Sequence, residues 1–532
     1  MLTKLSIKNF KRFEDVEIEL GSPVVFVGPN NSGKTTALQA ISLWYLGLQR
    51  WRGWKPMSGA QAVLNRMDLV TAPVPVCDLL WRNGVASRQE RDEFRPIEIV
   101  LTAPAWVVGL VFHYENEESL TCESPPIELP PESDGIDVVF LPSMSGLVDR
   151  EFLKQPDELN FLLGQGRTGE LLRNLCYRAL EAGVWDEIVE SITRLFGVRL
   201  GSPILRPKQG ISLTYRELGG AELDLICAGR GLQQTLLLLT FMALNPATVI
   251  LLDEPDAHLE ILRQRQMYGE LTAAAAKAGS QIIVATHSEV ILNEAADRDV
   301  VVSFVGKPHR IDDRGTQTLK ALKEIGFEQY YEAEQRGWVL YLEGSTDLAI
   351  LQAFARLLDH PAQEDLASPF VHYVENQPQK ARDHFHGLRE AKRDLAGVLI
   401  CDRLDRELKP TSALDERMWR RREIENYLCQ PETLLAFAGS DDKVMRECIE
   451  RLVPPVALGD LNDVWWRETK ATDAFLDRLF ADYYERLGLP NLMRKSNYHR
   501  LAPFVPSALL DPEITEVLDA IHRQAKLARP IT

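Results

Sequence analysis

The first half of the chain alternates short apolar runs with longer amphipathic segments. Its apolar runs are VVFV at Val24–Val27, TVILL at 248–252 and QIIVAT at Gln281–Thr286. Such runs are typical of parallel strands that are covered on both faces. The segment IDVVFLPSM predicts a further strand of the same sheet. IEIVLTAP and WVVGLVFHYEN predict antiparallel strands, and residues 151–196 have a mostly helical pattern.

The second half repeats this alternation from residue 338 onward. WVLYL predicts a strand that ends at Glu343, and Ser345 predicts the cap of a helix that runs to about Leu358. FVHYVEN and AGVLICD predict two more strands, the last ending at Asp402, with a helix between them. The strand–helix–strand–helix–strand order predicts a parallel sheet, whose strand ends lie along one edge.

A phosphate-binding loop follows the first apolar strand. GPNNSGKT at 28–35 matches GxxxxGK[ST], and it lies between a predicted strand and a predicted helix, the context that this motif requires. Backbone N–H groups and the helix N-terminus of such a loop bind phosphates. We expect Lys34 to bridge the β- and γ-phosphates and the Thr35 hydroxyl to bind Mg²⁺. The predicted ATP-binding residues of this loop are Gly28, Asn30, Asn31, Ser32, Gly33, Lys34, Thr35 and Thr36.

A second nucleotide motif lies more than two hundred residues further on, in TVILLDEPDAHLE. Asp253 ends the apolar strand, where it is placed to hold Mg²⁺. Glu254 beside it is placed to orient and polarise the attacking water. The next strand, QIIVATHS, is followed by His287, which we interpret as a switch residue that contacts the γ-phosphate. These motifs predict an ATP-hydrolysing site.

The strand ends of the second half are acidic. Glu343 and Asp402 each follow a predicted strand, and Asp347 and Asp405 lie within a turn or loop of them. Carboxylates gathered on one edge repel each other unless cations bind there, and ligands made only of oxygen suit Mg²⁺ or Mn²⁺. Two such ions can clamp the attacking and leaving oxygens of a phosphodiester. The pattern therefore predicts a metal site.

Charge and cysteine content restrict the possible classes of protein. The net charge of −17 opposes general attraction to nucleic acid, so binding there requires local basic patches or metal ions. Two basic stretches, at 380–393 and 417–422, are either solvated faces or phosphate contacts. The seven scattered cysteines favour a reducing cytosol, and no apolar stretch is long enough for a membrane span or arranged like a signal peptide.

The order of the nucleotide motifs resembles the ABC-type ATPases of the RecF/SMC group. CAGRGLQQTLLLL stands where that group has its signature sequence, and Gly229 and Gly231 match it, although the expected serine is missing. The resemblance implies that this loop completes the nucleotide site of another protomer, giving a head-to-tail dimer with Asp256 at the interface. It also implies a glutamine loop, for which Gln61, Gln89 and Gln165 are all candidates.

The acidic half resembles a Toprim domain, because Glu-Gly-x-x-Asp follows a strand and a second acidic strand end comes later. A Toprim domain fused behind this type of ATPase resembles the OLD (overcoming lysogenization defect) family of nucleases, which include phage-defence effectors. The resemblance implies further metal ligands at Glu423 and Glu425, and a charge-stabilising Lys495 in MRKSNYHRL. The chain differs at the second acidic site, reading Asp402-x-x-Asp405 instead of Asp-x-Asp.

The predicted fold is α/β throughout. It comprises an ABC-type ATPase domain at 1–312 with an insertion at about 42–200, a helical linker at 313–337, and a Toprim domain with C-terminal helices at 338–532. The expected cofactors are ATP and Mg²⁺ or Mn²⁺, at both sites.

The expected function is an ATP-controlled nuclease in anti-phage defence. We expect a cytoplasmic homodimer or higher oligomer that acts on DNA or RNA, with phage-related nucleic acid and tRNA as candidate substrates, and that has a possible operon-encoded partner. Two alternatives stay open: a nucleotide-switched scaffold with an inactive Toprim domain, and a RecF/SMC-like repair ATPase.

Overall fold

The computed structural model describes residues 1–53, 62–87, 95–123, 135–217, 219–296, 298–304, 307–311, 325–405, 408 and 414–530. The chain divides into two compact units, Met1–Leu319 and Lys320–Thr532. Part of the predicted linker, residues 313–324, lies outside the described residues. Within the described ranges, none of the helices combines the length and the apolar character that crossing a membrane requires.

The strands of the first unit are short. They are β1 Lys4–Phe10, β2 Phe13–Glu19, β3 Val24–Val27, β4 Ala62–Asn65, β5 Ile97–Ala103, β6 Trp106–Asn116, β7 Ser119–Glu123, β8 Val138–Leu141, β9 Val198–Leu200, β10 Ile204–Arg206, β11 Gly210–Ser212, β12 Thr214–Glu217, β13 Glu222–Asp224, β14 Val249–Asp253, β15 Gln281–Thr286, β16 Val300–Ser303 and β17 His309–Arg310. Its helices are α1 Lys34–Gly53, α2 Pro156–Gly164, α3 Leu172–Glu181, α4 Trp185–Phe196, α5 Arg230–Leu244, α6 Ile261–Ala278 and α7 Glu289–Ala295.

Two larger sheets form the body of this unit. The central sheet has the order β17-β16-β3-β15-β14-β8 and is parallel except for β17. The second sheet, β2-β1-β5-β6-β7-β4, is antiparallel, as the alternating pattern predicts. The insertion contributes β8 to the central sheet and the helices α2 to α4.

Helix α1 packs in the core that contains residues of both sheets. Its buried side chains include Ala37, Ile41 and Trp44, which lie in one hydrophobic cluster with residues of β3 and β6. The Trp44 indole N–H donates to the carbonyl of Val108 at 3.0 Å, so this buried donor is satisfied. Because α1 is fixed along its length, the loop that precedes it is fixed as well.

The second unit has a parallel sheet in the order β19-β18-β20-β21. Its strands are β18 Trp338–Leu342, β19 Val371–Tyr373, β20 Ala396–Cys401 and β21 Asp415–Met418. Its helices are α8 Phe327–Arg336, α9 Ser345–Leu357, α10 Ala362–Asp365, α11 Pro378–Ala391, α12 Pro431–Ala438, α13 Asp442–Leu452, α14 Pro455–Gly459, α15 Val464–Glu468, α16 Asp477–Leu487 and α17 Pro512–Leu527. The three strands expected from the sequence are present, and the predicted α/β fold class is confirmed.

The helices that follow β21 share one core with the sheet. Buried residues of β18 and β20, such as Leu340 and Val398, lie in the same cluster as Phe480, Tyr498 and Leu518. The strands β18 and β20 are buried along their whole length. Glu343 and Asp402 follow directly after these two buried strands, so their main chains are rigidly held.

A half-buried histidine pair lies beside β18. The rings of His372 and His384 stack with their centroids 3.9 Å apart. His384 Nδ1 accepts from the Tyr341 hydroxyl at 2.9 Å, while its Nε2 faces the amide oxygen of Gln329 in α8 at 2.5 Å. Burial, together with the charge of the neighbouring His372, lowers the pKa of His384 to about 3. The ring is therefore neutral in the folded protein.

This histidine makes stability depend on pH. The pKa of His384 falls from 6.5 to about 3 on folding, so the unfolded chain binds a proton that the folded chain excludes between these values. Its contribution to stability is present above pH 6.5 and is lost as the pH falls toward 3. The free energy of unfolding of the wild type should fall as the pH is lowered through this window. We expect His384→Gln to reduce the slope of that fall by up to about 1.4 kcal/mol per pH unit. Urea unfolding of both proteins at pH 5 and pH 7 measures the difference, and equal pH dependence would contradict the assignment.

Candidate nucleotide site and carboxylate cluster

The backbone of the phosphate-binding loop adopts positive φ angles at Gly33 and Asn31, and these residues tolerate this conformation. Gly33 has a φ of +106°, and a Cβ at this position would lie 2.7 Å from Arg12 Cδ and 2.8 Å from Phe13 Cζ. Both the dihedral and the packing therefore require glycine. Asn31 also has a positive φ of 62°, in the left-handed region that asparagine tolerates. The loop leaves a fully buried strand, β3, and enters α1 at Lys34.

The Lys34 side chain lies back over this loop. Its Nζ donates to the carbonyl oxygen of Gly28 at 2.7 Å and to that of Pro29 at 2.9 Å. Burial lowers the pKa of Lys34, whereas the charges of Glu254 and Asp253 oppose this effect. A cation held only by neutral carbonyls is well placed to exchange them for phosphate oxygens.

The structure joins the two nucleotide motifs directly. The Thr35 hydroxyl donates to the carboxylate of Asp253, 3.0 Å from each oxygen. Burial raises the pKa of Asp253 to about 6, although the hydrogen bond from Thr35 lowers it. These are the two side chains predicted to bind one Mg²⁺, and they lie 218 residues apart in sequence.

Glu254 and His287 face each other next to this pair. Glu254 has a φ of +49°, a strained conformation for a residue that is not glycine. Its Oε1 lies 3.5 Å from His287 Nδ1, and more than half of the His287 side chain is exposed. Both groups are thus accessible to a water and a nucleotide.

The remaining loop residues lie at the same strand end. Asn30 and Asn31 are exposed, Thr36 is half-buried, and the Ser32 hydroxyl is buried with no hydrogen-bond partner.

The signature loop is exposed at Gly229, and hydrogen bonds from a side chain in the interior support it. Gly229 immediately precedes α5, and space for a Cβ is open there, whereas a Cβ on Gly231 would lie 3.1 Å from Leu259 Cδ2. The Gln233 amide donates to the carbonyls of Leu225 and Ala228, both at 3.0 Å, so this side chain supports the loop from inside the chain.

Asp224 and Arg173 form a pair next to the signature loop that local sequence patterns do not predict. The Asp224 carboxylate accepts from the backbone N–H of Ile226 at 2.9 Å and forms a 2.8 Å ion pair with buried Arg173. An aspartate before a turn was a visible signal, but its partner is 51 residues away. Only tertiary structure could identify the pair.

Asp256 has a partner within its own chain, the Thr286 hydroxyl, at 2.6 Å. Of the glutamine-loop candidates, Gln165 ends α2, whereas Gln61 and Gln89 fall outside the described residues.

The first acids of the second unit share one turn. Asp347 in α9 accepts from the backbone N–H of Glu343 at 3.1 Å, so it closes the turn between β18 and the helix. Burial, together with the charge of Glu343, raises the pKa of Asp347 to about 6. Asp347 is therefore more than a surface acid attracted by a helix terminus.

Asp402 completes the pairing of the two strand ends. Burial raises its pKa far above the usual range of an aspartate, and a hydrogen bond with the Glu343 side chain adds to the rise. The charges of Asp347 and Glu425 act in the same direction. Two carboxyl groups in hydrogen-bond contact cannot both be ionised without a compensating cation.

Glu425 joins these acids from the turn Ile424–Tyr427. Burial raises its pKa to about 8, the charge of Glu423 adds to this, and Lys495 opposes it. Glu425 Oε1 is buried without a hydrogen-bond partner and lies 3.9 Å from Lys495 Nζ. Burial lowers the pKa of Lys495, but the surrounding acids raise it overall. We call Glu343, Asp347, Asp402 and Glu425 the carboxylate cluster.

Two predicted ligands are placed differently. The Glu423 carboxylate accepts from the backbone N–H of Thr472 and so supports the main chain. The Asp405 side chain is 97% exposed and lies 3.6 Å from Arg422, and its charge is not among those that raise the pKa of Asp402. The structure thus brings Asp402 together with Glu425, and it does not bring Asp405 to the cluster.

The carboxylate cluster has the donor chemistry of a site for a hard divalent cation. Its side chains offer only oxygen, one buried oxygen has no partner, and the burial of several acids in contact favours a cation. Within the described ranges, no three His, Cys, Asp or Glu side chains already converge as a ready-made metal site. The residues fit the ion, but the final ligand geometry would form on binding.

Comparison with known proteins gives independent evidence. Residues 1–45 match the family "AAA ATPase domain", and residues 125–293 match "AAA domain, putative AbiEii toxin, Type IV TA system". The first unit therefore carries an ATPase domain.

A curated relative covers much of the chain. An OLD nuclease from Thermus scotoductus (strain ATCC 700910 / SA-01) is 27% identical over 363 residues, covering 57% of this chain and 64% of that protein. This relative confirms the resemblance to the OLD family, and the chain covers less than two thirds of its length. The DNA replication and repair protein RecF from Rickettsia massiliae (strain Mtu5) is 43% identical over only 47 residues, 9% of this chain and 13% of that protein.

Solved structures similar to the chain include SMC heads. An SMC head domain from Thermotoga maritima has a TM-score of 0.34 at 17% identity, covering 58% of this chain and 98% of that one. An Smc head domain with an extended coiled coil, bound to the C-terminal domain of ScpA derived from Pyrococcus furiosus, has a TM-score of 0.37 at 15% identity, with coverages of 61% and 99%.

The two glycines at 33 and 229 form a matched pair for testing the nucleotide site. We expect Gly33→Ala to weaken nucleotide binding at least tenfold, about 1.4 kcal/mol, because the loop must distort. Gly229→Ala should leave binding to the same protomer unchanged, since its Cβ meets open space. Titration with a fluorescent ATP analogue measures both, and normal affinity in Gly33→Ala would contradict the loop assignment.

Proposed function

We propose that this chain is an ATP-hydrolysing, divalent-metal-dependent nuclease of the OLD type, in which the ATPase domain controls cleavage at the carboxylate cluster. The observation that carries the proposal is the contact between Glu343 and Asp402 at the ends of two buried strands, with Glu425 within electrostatic reach of Asp402 and Lys495 Nζ 3.9 Å from Glu425. Buried acids in mutual contact destabilise a fold, so their presence favours a function that needs negative charge.

In the ATPase domain each residue has a distinct task. The Thr35 hydroxyl and Asp253 would hold Mg²⁺, since they already meet at 3.0 Å. Lys34 would exchange its carbonyl partners for the β- and γ-phosphates. Glu254 accepts a proton from, and orients, the attacking water, while His287 opposite it senses the γ-phosphate.

In the second unit the cluster residues prepare phosphodiester cleavage. Glu343, Asp347, Asp402 and Glu425 would hold Mg²⁺ or Mn²⁺, which lowers the pKa of bound water and neutralises phosphate charge. Lys495 offers an ammonium, 43% exposed, that can stabilise the charge developing on the scissile phosphate. Metal would also reduce the repulsion between a chain of net charge −17 and a phosphate backbone.

Association belongs to the same proposal. The exposed Gly229 and the half-buried Gly231 would complete the nucleotide site of a second protomer, giving an ATP-dependent homodimer or a larger oligomer. The OLD resemblance supports a role in cytoplasmic anti-phage defence. The substrate would be DNA or RNA, such as phage-related nucleic acid or tRNA, and a partner encoded in the same operon would be compatible with this role. The free cysteines agree with a reducing compartment.

The ATPase assignment predicts two opposite phenotypes. Glu254→Gln should bind ATP normally, hydrolyse it at least about a hundredfold more slowly and accumulate an ATP-bound dimer. Lys34→Ala should not bind ATP, and Gly231→Asp should hinder the dimer because of its added bulk and charge. Light scattering with a phosphate-release assay checks all three. Hydrolysis at the wild-type rate in Glu254→Gln would refute the assignment of the base.

The nuclease assignment predicts separation of the two activities. Glu343→Ala and Asp402→Ala should each abolish cleavage of plasmid or tRNA in Mg²⁺ or Mn²⁺ and leave ATP hydrolysis largely unchanged. Asp405→Ala is the matched control and should retain cleavage, because its side chain lies in solvent. Calorimetric titration with Mn²⁺ should show weaker binding in Glu343→Ala than in wild type. Equal metal affinity would exclude the cluster as the metal site.

A nucleotide-switched scaffold is the second candidate. The exposure of Asp405 favours it, because the usual second carboxylate of the Asp-x-Asp pattern does not reach the cluster. Metal binding and ATP-dependent association without cleavage of either nucleic acid would support the scaffold over the nuclease.

A further inference from the structure

The segment 466–473 lies along the turn that carries Glu425. Three hydrogen bonds join the segment to this turn and to the residue that precedes it. The Asn426 amide donates to the carbonyls of Trp466 at 3.0 Å and Thr469 at 2.8 Å. The backbone N–H of Thr472 donates to the buried carboxylate of Glu423. Lys470 lies in the chain between Thr469 and Thr472, which form two of these hydrogen bonds. Its main chain is therefore fixed relative to Glu425.

The same segment has an unusual local conformation. Residues Ala471–Leu476 form a π-helix that leads into α16. Such π-turns are rare and occur frequently at functional sites. Among the described residues, the Thr472 hydroxyl inside it is buried without a hydrogen-bond partner, an unfavourable arrangement if packing alone determined this turn.

Lys470 extends from this turn into solvent. Its Nζ lies 2.6 Å from the carboxylate of Asp473, with 54% of the lysine side chain and 63% of the aspartate side chain exposed. The hydrogen bond with Asp473 raises the pKa of Lys470, and the charge of Glu343 raises it further. Lys470 is thus within electrostatic reach of the carboxylate cluster.

Asp473 pairs directly with Lys470 and is also within electrostatic reach of Lys495. The hydrogen bond from Lys470 lowers its pKa, and the charge of Lys495 lowers it as well. An anion in this position resembles, in charge, a phosphate that approaches the cluster. Exposed ion pairs contribute little to stability, so a phosphodiester can displace this one at small cost.

We propose that Lys470 contacts a phosphate of the nucleic-acid substrate beside the carboxylate cluster and that Asp473 holds this lysine until the strand binds. The inference rests on the proposed nuclease function. It assigns Lys470 as a substrate-positioning residue and Asp473 as its internal competitor. Lys470 contributes to binding of the substrate, whereas Lys495 stabilises the charge that develops on the scissile phosphate.

The test measures binding separately from cleavage. A fluorescent single-stranded oligonucleotide and its duplex are titrated into the full-length protein in Ca²⁺, at several salt concentrations. Lys470→Gln should lower affinity about three- to tenfold at low salt and reduce the salt slope by about 0.7–0.9, the value for one lost phosphate contact. Lys470→Arg should restore both. Asp473→Asn should raise affinity, because the lysine is released.

The control is Arg451→Gln in α13. Arg451 is a similarly exposed cation, and it forms its ion pair at 3.2 Å with Asp482, an acid outside the carboxylate cluster. Equal weakening by Arg451→Gln and Lys470→Gln, or an unchanged salt slope in Lys470→Gln, would overturn the inference. Melting temperatures identify any misfolded variant, and the Asp473→Asn gain cannot result from misfolding.

Cleavage in Mg²⁺ distinguishes this inference from the proposed function. Lys470→Gln should raise KM in parallel with the loss of affinity and leave kcat within about twofold, as expected for uniform binding. If the wild type cleaves and Lys470→Gln has an unchanged KM, the inference fails alone. If the wild type does not cleave but the changes in binding appear, the nuclease proposal fails and Lys470 remains a nucleic-acid contact.

Discussion

Repulsion between buried carboxylates is the constraint on which the second unit depends. Each of Asp347, Asp402 and Glu425 has a raised pKa, with burial as the largest cause and neighbouring acids as the next. At an effective dielectric constant of 20, a close pair costs about 4 kcal/mol, a large share of the stability of a domain. The surrounding sheet and helices must supply that energy, and a bound cation would return part of it. The cluster therefore makes folding and metal binding interdependent.

One topological rule places both candidate sites. In each unit a parallel sheet ends in polar residues on one edge, because helices cover the faces and leave the carboxyl ends of the strands open. The phosphate loop follows β3 and Asp253 ends β14, while Glu343 and Asp402 follow β18 and β20. The same construction serves two chemistries: glycines and a lysine select phosphate in one unit, and adjacent acids select metal in the other.

The sequence predicts a feature when the residues that determine it lie close together in the chain. The strand–loop–helix around Lys34 is a contiguous pattern, and the expected contact of Thr35 with Asp253 is present at 3.0 Å. The parallel order of β18, β19 and β20 likewise follows from alternating patterns. In contrast, Glu423 and Glu425 are two residues apart in one turn, yet the first binds the Thr472 N–H and the second reaches Asp402. Spacing alone cannot separate them, because the decision depends on contacts with residues distant in sequence.

The internal contacts of both candidate sites share a common principle. Each group that would bind a ligand is held by a weak internal partner of matching chemistry: Lys34 by the Gly28 carbonyl, Asp253 by the Thr35 hydroxyl, and Lys470 by Asp473. These contacts satisfy buried or mobile polar groups, and they resemble the ligand contacts in charge or donor type. Binding then exchanges one set of hydrogen bonds for a stronger, charge-assisted set with little rearrangement. The exceptions are Ser32 and Glu425, each of which has a buried side-chain oxygen without a hydrogen-bond partner among the described residues, so ligand binding at either site can satisfy a group that the fold leaves unpaired.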